Sequence, residues 1–168
     1  MTLLVGSTLY AQTIPHTESE TLSGKKIILP DAFSGHPVLI TIGFSRAGGD
    51  SAGRWGRDLR KELSGSPELR FYTIAAIQDA PKMIRGMIKH GMRSGTPKTE
   101  HDSFVVLEND ENAWKKLAEF SDANDAYLLL VDSQAKVVWR AHGRNPDSQT
   151  LSGLKGEVAK VLNANKGS

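Results

Sequence analysis

Apolar residues along the chain recur with two different periods, which predict strands alternating with helices. The run Val38–Phe44 is continuous and largely β-branched, a pattern typical of a strand buried on both faces. The next apolar residues recur at the spacing of an amphipathic helix, at Ala52, Trp55, Leu59 and Leu63. A buried strand followed directly by a helix indicates an α/β arrangement.

Local signals place the start and the end of this first long helix. Asp50 or Ser51 is a suitable N-cap, so we predict that the helix begins near Ser51. Gly65 and Pro67 end it. The segment Ser45–Gly53 is rich in small residues, and we predict a loop there between the strand and the helix.

The remaining pattern continues the alternation of strands and helices. In chain order it predicts a strand within Gly24–Pro30, a strand over Leu69–Ile77, a helix over Pro81–Arg93, a strand over Phe104–Leu107, a helix over Glu111–Phe120, a hairpin of Tyr127–Val131 with Lys136–Ala141, and a helix over Leu151–Leu162. This order predicts an α/β fold with a central mixed β-sheet, helices on both faces, and a terminal β-hairpin followed by a C-terminal helix.

Length and composition fit one globular domain, which we place at residues 23–164 of the 168-residue chain. Residues 12–22 are polar and are predicted to be an extended lead-in, and residues 165–168 a tail. Residues 1–11 are apolar and end in small residues, which resembles the end of a secretory signal peptide cleaved after Ala11. A basic leading segment is missing, so the expected export rests on a truncated signal, and a cytoplasmic location stays open.

The hairpin region carries a motif that resembles a known fold. The motif consists of a hydrophobic strand ending in Asp132, a short turn, a second strand over Lys136–Arg140 and then Gly143. It is similar to a motif of the redoxin branch of the thioredoxin-like proteins, which includes the peroxiredoxins. The resemblance extends over roughly residues 23–162. It implies a thioredoxin-like fold.

The departures from that family concern its chemistry. The chain contains no cysteine. Aligning the usual pair of cysteines with the first strand-to-helix turn places Gly49 and Ala52 at the two sulfur positions. The family's cis-proline position is occupied by Asp125 and Ala126. Because the thiolate is both nucleophile and electron carrier, thiol–disulfide oxidoreductase and thiol peroxidase activities are excluded.

One branch of this fold is known for lacking redox chemistry, namely the mitochondrial ATP synthase assembly factors. The pattern of that branch is similar to two parts of this chain. The first is Phe44–Ser45 with Gly48 or Gly49 and Trp55, and the second is the strand pair Tyr127–Asp132 and Lys136–Trp139. The resemblance implies a chaperone-like assembly factor for an envelope or membrane complex. We therefore expect a redox-inactive protein, without a cofactor, that acts by binding a protein partner.

An alternative function is a small-anion binding module at the glycine-rich turn. Backbone amides at a helix N-terminus attract anions, and flanking guanidinium groups grip carboxylates or phosphates. The candidate residues are Arg46, Gly48, Gly49, Asp50, Ser51 and Arg54. In the structural alternative, the glycines only let the chain reverse into the helix.

A second alternative is a hydrolase that does not use a thiol. Ser51 on the strand-to-helix turn would be its nucleophile and His142 its base, although the glycine–serine–glycine elbow is absent. The structural alternative for Ser51 is a helix cap. The five histidines are scattered singly, so we predict no metal site.

The helix predicted over Pro81–Arg93 is a candidate surface for a partner or an anionic membrane. No acidic residue occurs between Pro81 and Thr99, and methionines line one side. The candidate basic residues are Lys82, Arg85, Lys89 and Arg93. The structural alternative is a helix whose apolar stripe packs on the sheet. A formal net charge of only +2 argues against a nucleic-acid partner.

Overall fold

The fold is described by a computed structural model over residues 12–167. The predicted signal peptide, residues 1–11, lies outside the described residues. The strands are β1 (Thr17–Thr21), β2 (Lys26–Leu29), β3 (Val38–Gly43), β4 (Arg70–Ala76), β5 (Phe104–Leu107), β6 (Ala126–Val131) and β7 (Val137–Gly143). The helices are α1 (Arg46–Glu62), α2 (Lys82–Gly95), α3 (Glu111–Ala118) and α4 (Ser148–Lys166).

The strands of residues 12–167 form one mixed sheet in the order β2-β1-β5-β4-β3-β6-β7. The neighbours β3, β4 and β5 are parallel, whereas β1, β2, β6 and β7 join antiparallel. The predicted hairpin is the β6–β7 pair, and the C-terminal helix is α4. The predicted α/β fold with a central mixed sheet is confirmed.

The lead-in of the sequence contributes a strand that the pattern did not predict. Its residues Thr17–Thr21 form β1, which pairs with β2 on one side and with β5 on the other. The strand is polar, so hydrophobic periodicity gives no signal for it. Thr17 is nevertheless fully buried, and its hydroxyl oxygen accepts a hydrogen bond from Trp114 Nε1 at 3.1 Å.

Helix α1 begins earlier than predicted. Its N-cap is Ser45, whose Oγ accepts a hydrogen bond from Gly48 N at 2.9 Å. The segment predicted as a loop therefore forms the first turns of α1. The end of β3 presses against this turn, because a Cβ on Gly43 would lie 2.5 Å from Gly49 N.

Separate hydrophobic clusters lie on the two faces of the sheet. On one face, α1 and α4 pack against β3 and β6 around the fully buried Trp55. On the other face, α3 packs against β3 and β6 around Trp114 and Tyr127, both fully buried. The helices therefore cover both faces as predicted.

Helix α2 differs from its predicted packing. It extends from Lys82 to Gly95, close to the predicted Pro81–Arg93, and its inward contacts come from Ile88 and Met92. The predicted apolar stripe does not pack on the sheet as a whole, because Met83 is 96% and Met87 71% exposed. None of the helices within residues 12–167 is long and apolar enough to cross a membrane.

Candidate functional site

The N-terminus of α1 is locked to the loop that precedes β6, residues 121–125, which we call the 121–125 loop. Ser45 Oγ donates a hydrogen bond to the carbonyl oxygen of Ala123 at 2.5 Å, and Ser51 Oγ donates one to that of Asn124 at 2.8 Å. The backbones are in close contact, since a Cβ on Gly48 would lie 2.7 Å from the Ala123 oxygen. Two serines and a glycine thus hold the loop against the helix.

An imidazole–carboxylate pair lies beside this loop. His142 Nδ1 lies 2.7 Å from Asp125 Oδ2. The Asp125 side chain is almost buried, whereas about half of the His142 side chain is exposed. The imidazole stacks on the ring of Tyr127, with 5.5 Å between the ring centroids. The pair joins the start of β6 to the end of β7.

Arg144 adds a second charged connection to the 121–125 loop. Its Nη2 lies 3.1 Å from Asp122 Oδ2, and its Nε lies 3.8 Å from Asp125 Oδ1. The pKa of Asp122 is lowered, first by the hydrogen bond from the backbone amide of Asn124 and then by the Arg144 side chain. Asp122 therefore stays ionised at a lower pH than an ordinary aspartate does.

An open cleft of about 290 Å³ lies between the start of α1 and the 121–125 loop. It is lined by Ala47, Asp50, Ser51, Arg54, Asn124 and Arg144. Arg54 Nη2 donates hydrogen bonds to the carbonyl oxygen of Arg144 at 3.0 Å and to Ser51 Oγ at 2.9 Å. The cleft therefore has two guanidinium groups in its wall.

Only half of the predicted anion-binding residues line this cleft, namely Asp50, Ser51 and Arg54. Arg46, Gly48 and Gly49 do not line it, and Gly48 is buried under the 121–125 loop. The sequence analysis missed Ala47, which lies within the predicted segment, and it also missed Asn124 and Arg144. The latter two are far from α1 in the sequence, and no motif links them to the helix.

The hydrolase hypothesis is wrong in its geometry. Ser51 is 1% exposed, and its hydroxyl is bound between the Asn124 carbonyl and the Arg54 guanidinium. His142 Nδ1 faces Asp125, as a triad would require, but neither ring nitrogen of His142 makes a hydrogen bond with Ser51. A serine nucleophile needs an imidazole within hydrogen-bond reach and access to a substrate, and Ser51 has neither among the described residues.

The positions that the sequence analysis predicted as a degenerate redox site occupy different environments. Gly49 lies in the half-exposed first turn of α1, whereas Ala52 is buried in the core below it. Ala126 begins β6 and pairs with Gly43 on one side and Gly143 on the other. Ala52 and Ala126 both belong to the apolar cluster around Trp55. No group of three or more potential metal ligands occurs within residues 12–167.

Most of the candidate basic residues of α2 contact neighbouring segments of the fold and do not form a freely solvated basic face. Arg85 donates hydrogen bonds to the carbonyl oxygens of Gln78 and Ala80, and Arg93 donates one to that of Leu22. Lys89 Nζ forms an ion pair with Glu108 at 2.8 Å. Lys82 is exposed. Three of the four basic side chains thus fasten α2 to the rest of the fold.

The sheet order and the helix that starts directly after β3 define a thioredoxin-fold protein whose redox positions carry no sulfur. BsSco, a member of the Sco family of cytochrome c oxidase assembly proteins, superposes with a TM-score of 0.64 at 12% identity, covering 94% of this chain and 95% of that one. The profile of the family described as ATP10 protein matches residues 8–156. The chain belongs to the ATP10 protein family.

Other similar structures share the fold. The thioredoxin domain of a thiol-disulfide oxidoreductase from Bacteroides vulgatus has a TM-score of 0.59 at 16% identity, covering 88% of this chain and 96% of that one. A thiol peroxidase from Chromobacterium violaceum has a TM-score of 0.52 at 17% identity, covering 89% and 86%. At these identities the likeness concerns the fold alone. No curated protein sequence matches the chain.

Proposed function

We propose that this chain is a redox-inert assembly factor that acts by binding a protein subunit of an envelope or membrane complex. The observation that carries the proposal is membership of the ATP10 protein family in a chain without cysteine. Serine–carbonyl hydrogen bonds and the Asp125–His142 pair fill the region where relatives of this fold carry redox chemistry. Such a region can support a binding surface, and it has no thiol to transfer electrons.

The proposal is tested by removing the gene and measuring the assembly of membrane complexes on native gels. Loss of one complex, restored by the wild-type chain, is the expected result. The purified chain should also bind a subunit of that complex directly. Normal levels of every complex without the chain would contradict the proposal, as would dithiol-dependent reductase or peroxidase turnover by the purified protein.

The proposal includes export of the chain. Its support is the apolar stretch that ends at Ala11, which has the small residues of a cleavage site. Fractionation of cells, with the N-terminus of the recovered protein determined by mass spectrometry, tests it. We expect the mature chain to begin at Gln12. A chain recovered from the cytoplasm with Met1 intact would contradict export.

A second candidate function, small-anion binding, is favoured by the two guanidinium groups in the cleft. Asp50 also lines the cleft, and Asp122 pairs with Arg144, so the positive charge there is partly offset. Calorimetric titration with phosphate and with acetate tests binding. Arg144→Ala should abolish any heat of binding, and Arg57→Ala, at an exposed position of α1 outside the cleft lining, is the matched control. Equal heats for both variants would reject this site.

A further inference from the structure

The outer side of α2 is an apolar surface that has no packing partner among residues 12–167. The helix has no buried residue along its whole length. Met83 and Met87 are 96% and 71% exposed, and Ile84 is 40% exposed. Met83 and Met87 are one helical turn apart and therefore lie on the same side of the helix. We call Met83, Ile84 and Met87 the α2 outer patch.

The outer patch is not needed to hold α2 in place. Ile88 and Met92 make the inward contacts, against the cluster formed by Leu22, Ile77 and Val106. Arg85 and Arg93 add hydrogen bonds to backbone carbonyl oxygens of neighbouring segments. The exposed methionines therefore have no role in the core of the free protein.

Glycines flank the methionines on the same side of the helix. A Cβ on Gly86 or on Gly91 would meet no atom within 4 Å, and neither residue has a positive φ. Glycine in a helix interior lowers stability relative to alanine, and nothing in the described fold requires it at these two positions. A smooth surface beside protruding methionines permits the close approach of another helix.

The surroundings of the outer patch are positively charged. Residues 81–99 contain no acid. Arg85 and Arg93 donate to neutral carbonyl oxygens, so their charges are not cancelled there, whereas Lys89 is paired with Glu108. Lys82 is exposed beside Met83. A ligand with apolar and acidic groups would complement this surface.

We infer that the α2 outer patch is the docking surface for an acidic amphipathic helix of the protein partner. This inference rests on the proposed function, in which the chain acts by binding a protein. Methionine side chains adapt to the apolar ridge of a partner helix. A protein helix fits better than a bilayer, because helices that lie in a membrane surface present large Leu, Phe or Trp faces. The outer patch has none of these and is flanked by glycines.

The test uses the full chain and synthetic helix-forming peptides with leucines along one face. In the first peptide the opposite face carries glutamates, and in the matched peptide it carries lysines. Vesicles of phosphatidylcholine with phosphatidylglycerol are the third probe. We expect the acidic peptide to bind, to shift the amide resonances of α2, and to lose affinity as salt is added.

Variants distinguish an effect on peptide binding at the outer patch from an effect on folding stability. Met83→Ser with Met87→Ser should weaken binding of the acidic peptide about tenfold or more, since two apolar contacts are removed. Gly86→Gln should raise the thermal midpoint and still weaken binding, because a side chain then blocks the approach of the peptide. Val138→Ser is the matched control, because Val138 is an exposed apolar residue of β7, the edge strand at the opposite end of the sheet from β1 and β5, near which α2 packs.

Several results would overturn the inference. These are equal binding of the lysine peptide, binding of the vesicles alone, shifts that avoid α2, or unchanged affinity in the methionine double variant. The proposed function is judged separately, in cells that lack the chain. If the methionine double variant restores complex assembly as fully as wild type, the docking surface is wrong and the assembly role stands. If the wild-type chain is not needed for assembly, the assembly role fails whatever the peptide does.

Discussion

Asp125 and His142 form a close pair, with 2.7 Å between Oδ2 and Nδ1, across the ends of two neighbouring strands. Asp125 directly precedes β6, and His142 lies near the end of β7. The Asp125 carboxylate therefore connects the 121–125 loop to the hairpin strand β7. Together with Ser45 and Ser51, it forms a polar junction of three chain segments, namely the start of α1, the 121–125 loop and the end of β7.

Replacement of Asp125 should loosen this junction. We expect Asp125→Ala to lower the free energy of unfolding by about 1–3 kcal/mol, because a largely buried partner of His142 and Arg144 is lost. Asp125→Asn keeps an acceptor oxygen and should lose less. Urea unfolding measures both, with Asp58→Ala at an exposed position of α1 as the control. Equal stability of Asp125→Ala and the control would show that the pair contributes nothing.

The N-cap of α1 is a second point at which the junction can be tested. Ser45→Ala should lower the free energy of unfolding by about 1 kcal/mol, since the acceptor for Gly48 N is removed. Ser45→Asp keeps that acceptor but cannot donate to the Ala123 carbonyl. We therefore expect Ser45→Asp to retain the helix and to speed amide hydrogen exchange in the 121–125 loop. Unaltered exchange there would contradict the role of the Ser45 hydroxyl.

Replacement of glycine by alanine should change the free energy of unfolding in opposite directions at two positions. Gly43→Ala should lower the free energy of unfolding by about 1–3 kcal/mol or more, because its Cβ would overlap the backbone of Gly49. Gly86→Ala on the open side of α2 should raise it by about 0.5–1 kcal/mol. Thermal and urea unfolding of the two variants measure this difference. A loss of stability in Gly86→Ala would mean that α2 packs on a surface we did not identify.

A buried carboxylate at the start of α3 gives a pH-dependent test. Glu111 is 3% exposed, and its Oε1 lies 2.7 Å from Lys115 Nζ. The close ion pair with Glu111 is the main cause that raises the pKa of Lys115 above its ordinary value of 10.5. A cation with a raised pKa in the folded state stabilises the protein fully below the unfolded value, and this contribution disappears as the pH rises through the folded pKa.

We therefore expect Glu111→Gln to be less stable than wild type at neutral pH. The difference should shrink at alkaline pH, above 10.5, as Lys115 loses its proton in the wild type. Urea unfolding of both proteins across this range measures it. Lys116→Gln is the control, since Lys116 is the exposed neighbour of Lys115 on α3. A difference that stays constant through the alkaline range would assign the effect to packing and not to charge.

The parts of the fold that sequence reasoning found are those with dense hydrophobic signals. Strands β3 and β6 are buried at every residue, so their apolar runs are continuous and easy to read. The parallel strand β5 and the hairpin followed from the same signal. Strand β1 was missed because its residues are polar, and its place in the sheet comes from pairing with β2 and β5.

The candidate site was predictable only in part, for a related reason. Three residues of α1 that line the cleft were named from the local turn, but Asn124 and Arg144 approach them through the tertiary fold. The start of α1 was misplaced because glycines favour loops in isolation, whereas here close contact with Gly43 and with the 121–125 loop requires small residues. Nor does periodicity alone show which side of α2 faces the sheet, since the apolar positions extend around the helix.

The sequence by itself determined that these 168 residues offer no cysteine thiol, because folding cannot supply a missing sulfur atom. It also determined the α/β class, because burial of an apolar strand or helix face is a local property of spacing. Only the tertiary structure decided that Asp125 meets His142, that the Ser51 hydroxyl is almost buried and bound by Asn124 and Arg54, and that Met83 and Met87 face outward. These outcomes depend on how closely segments that are remote in the chain approach one another. The packing of the helices on the sheet sets those distances.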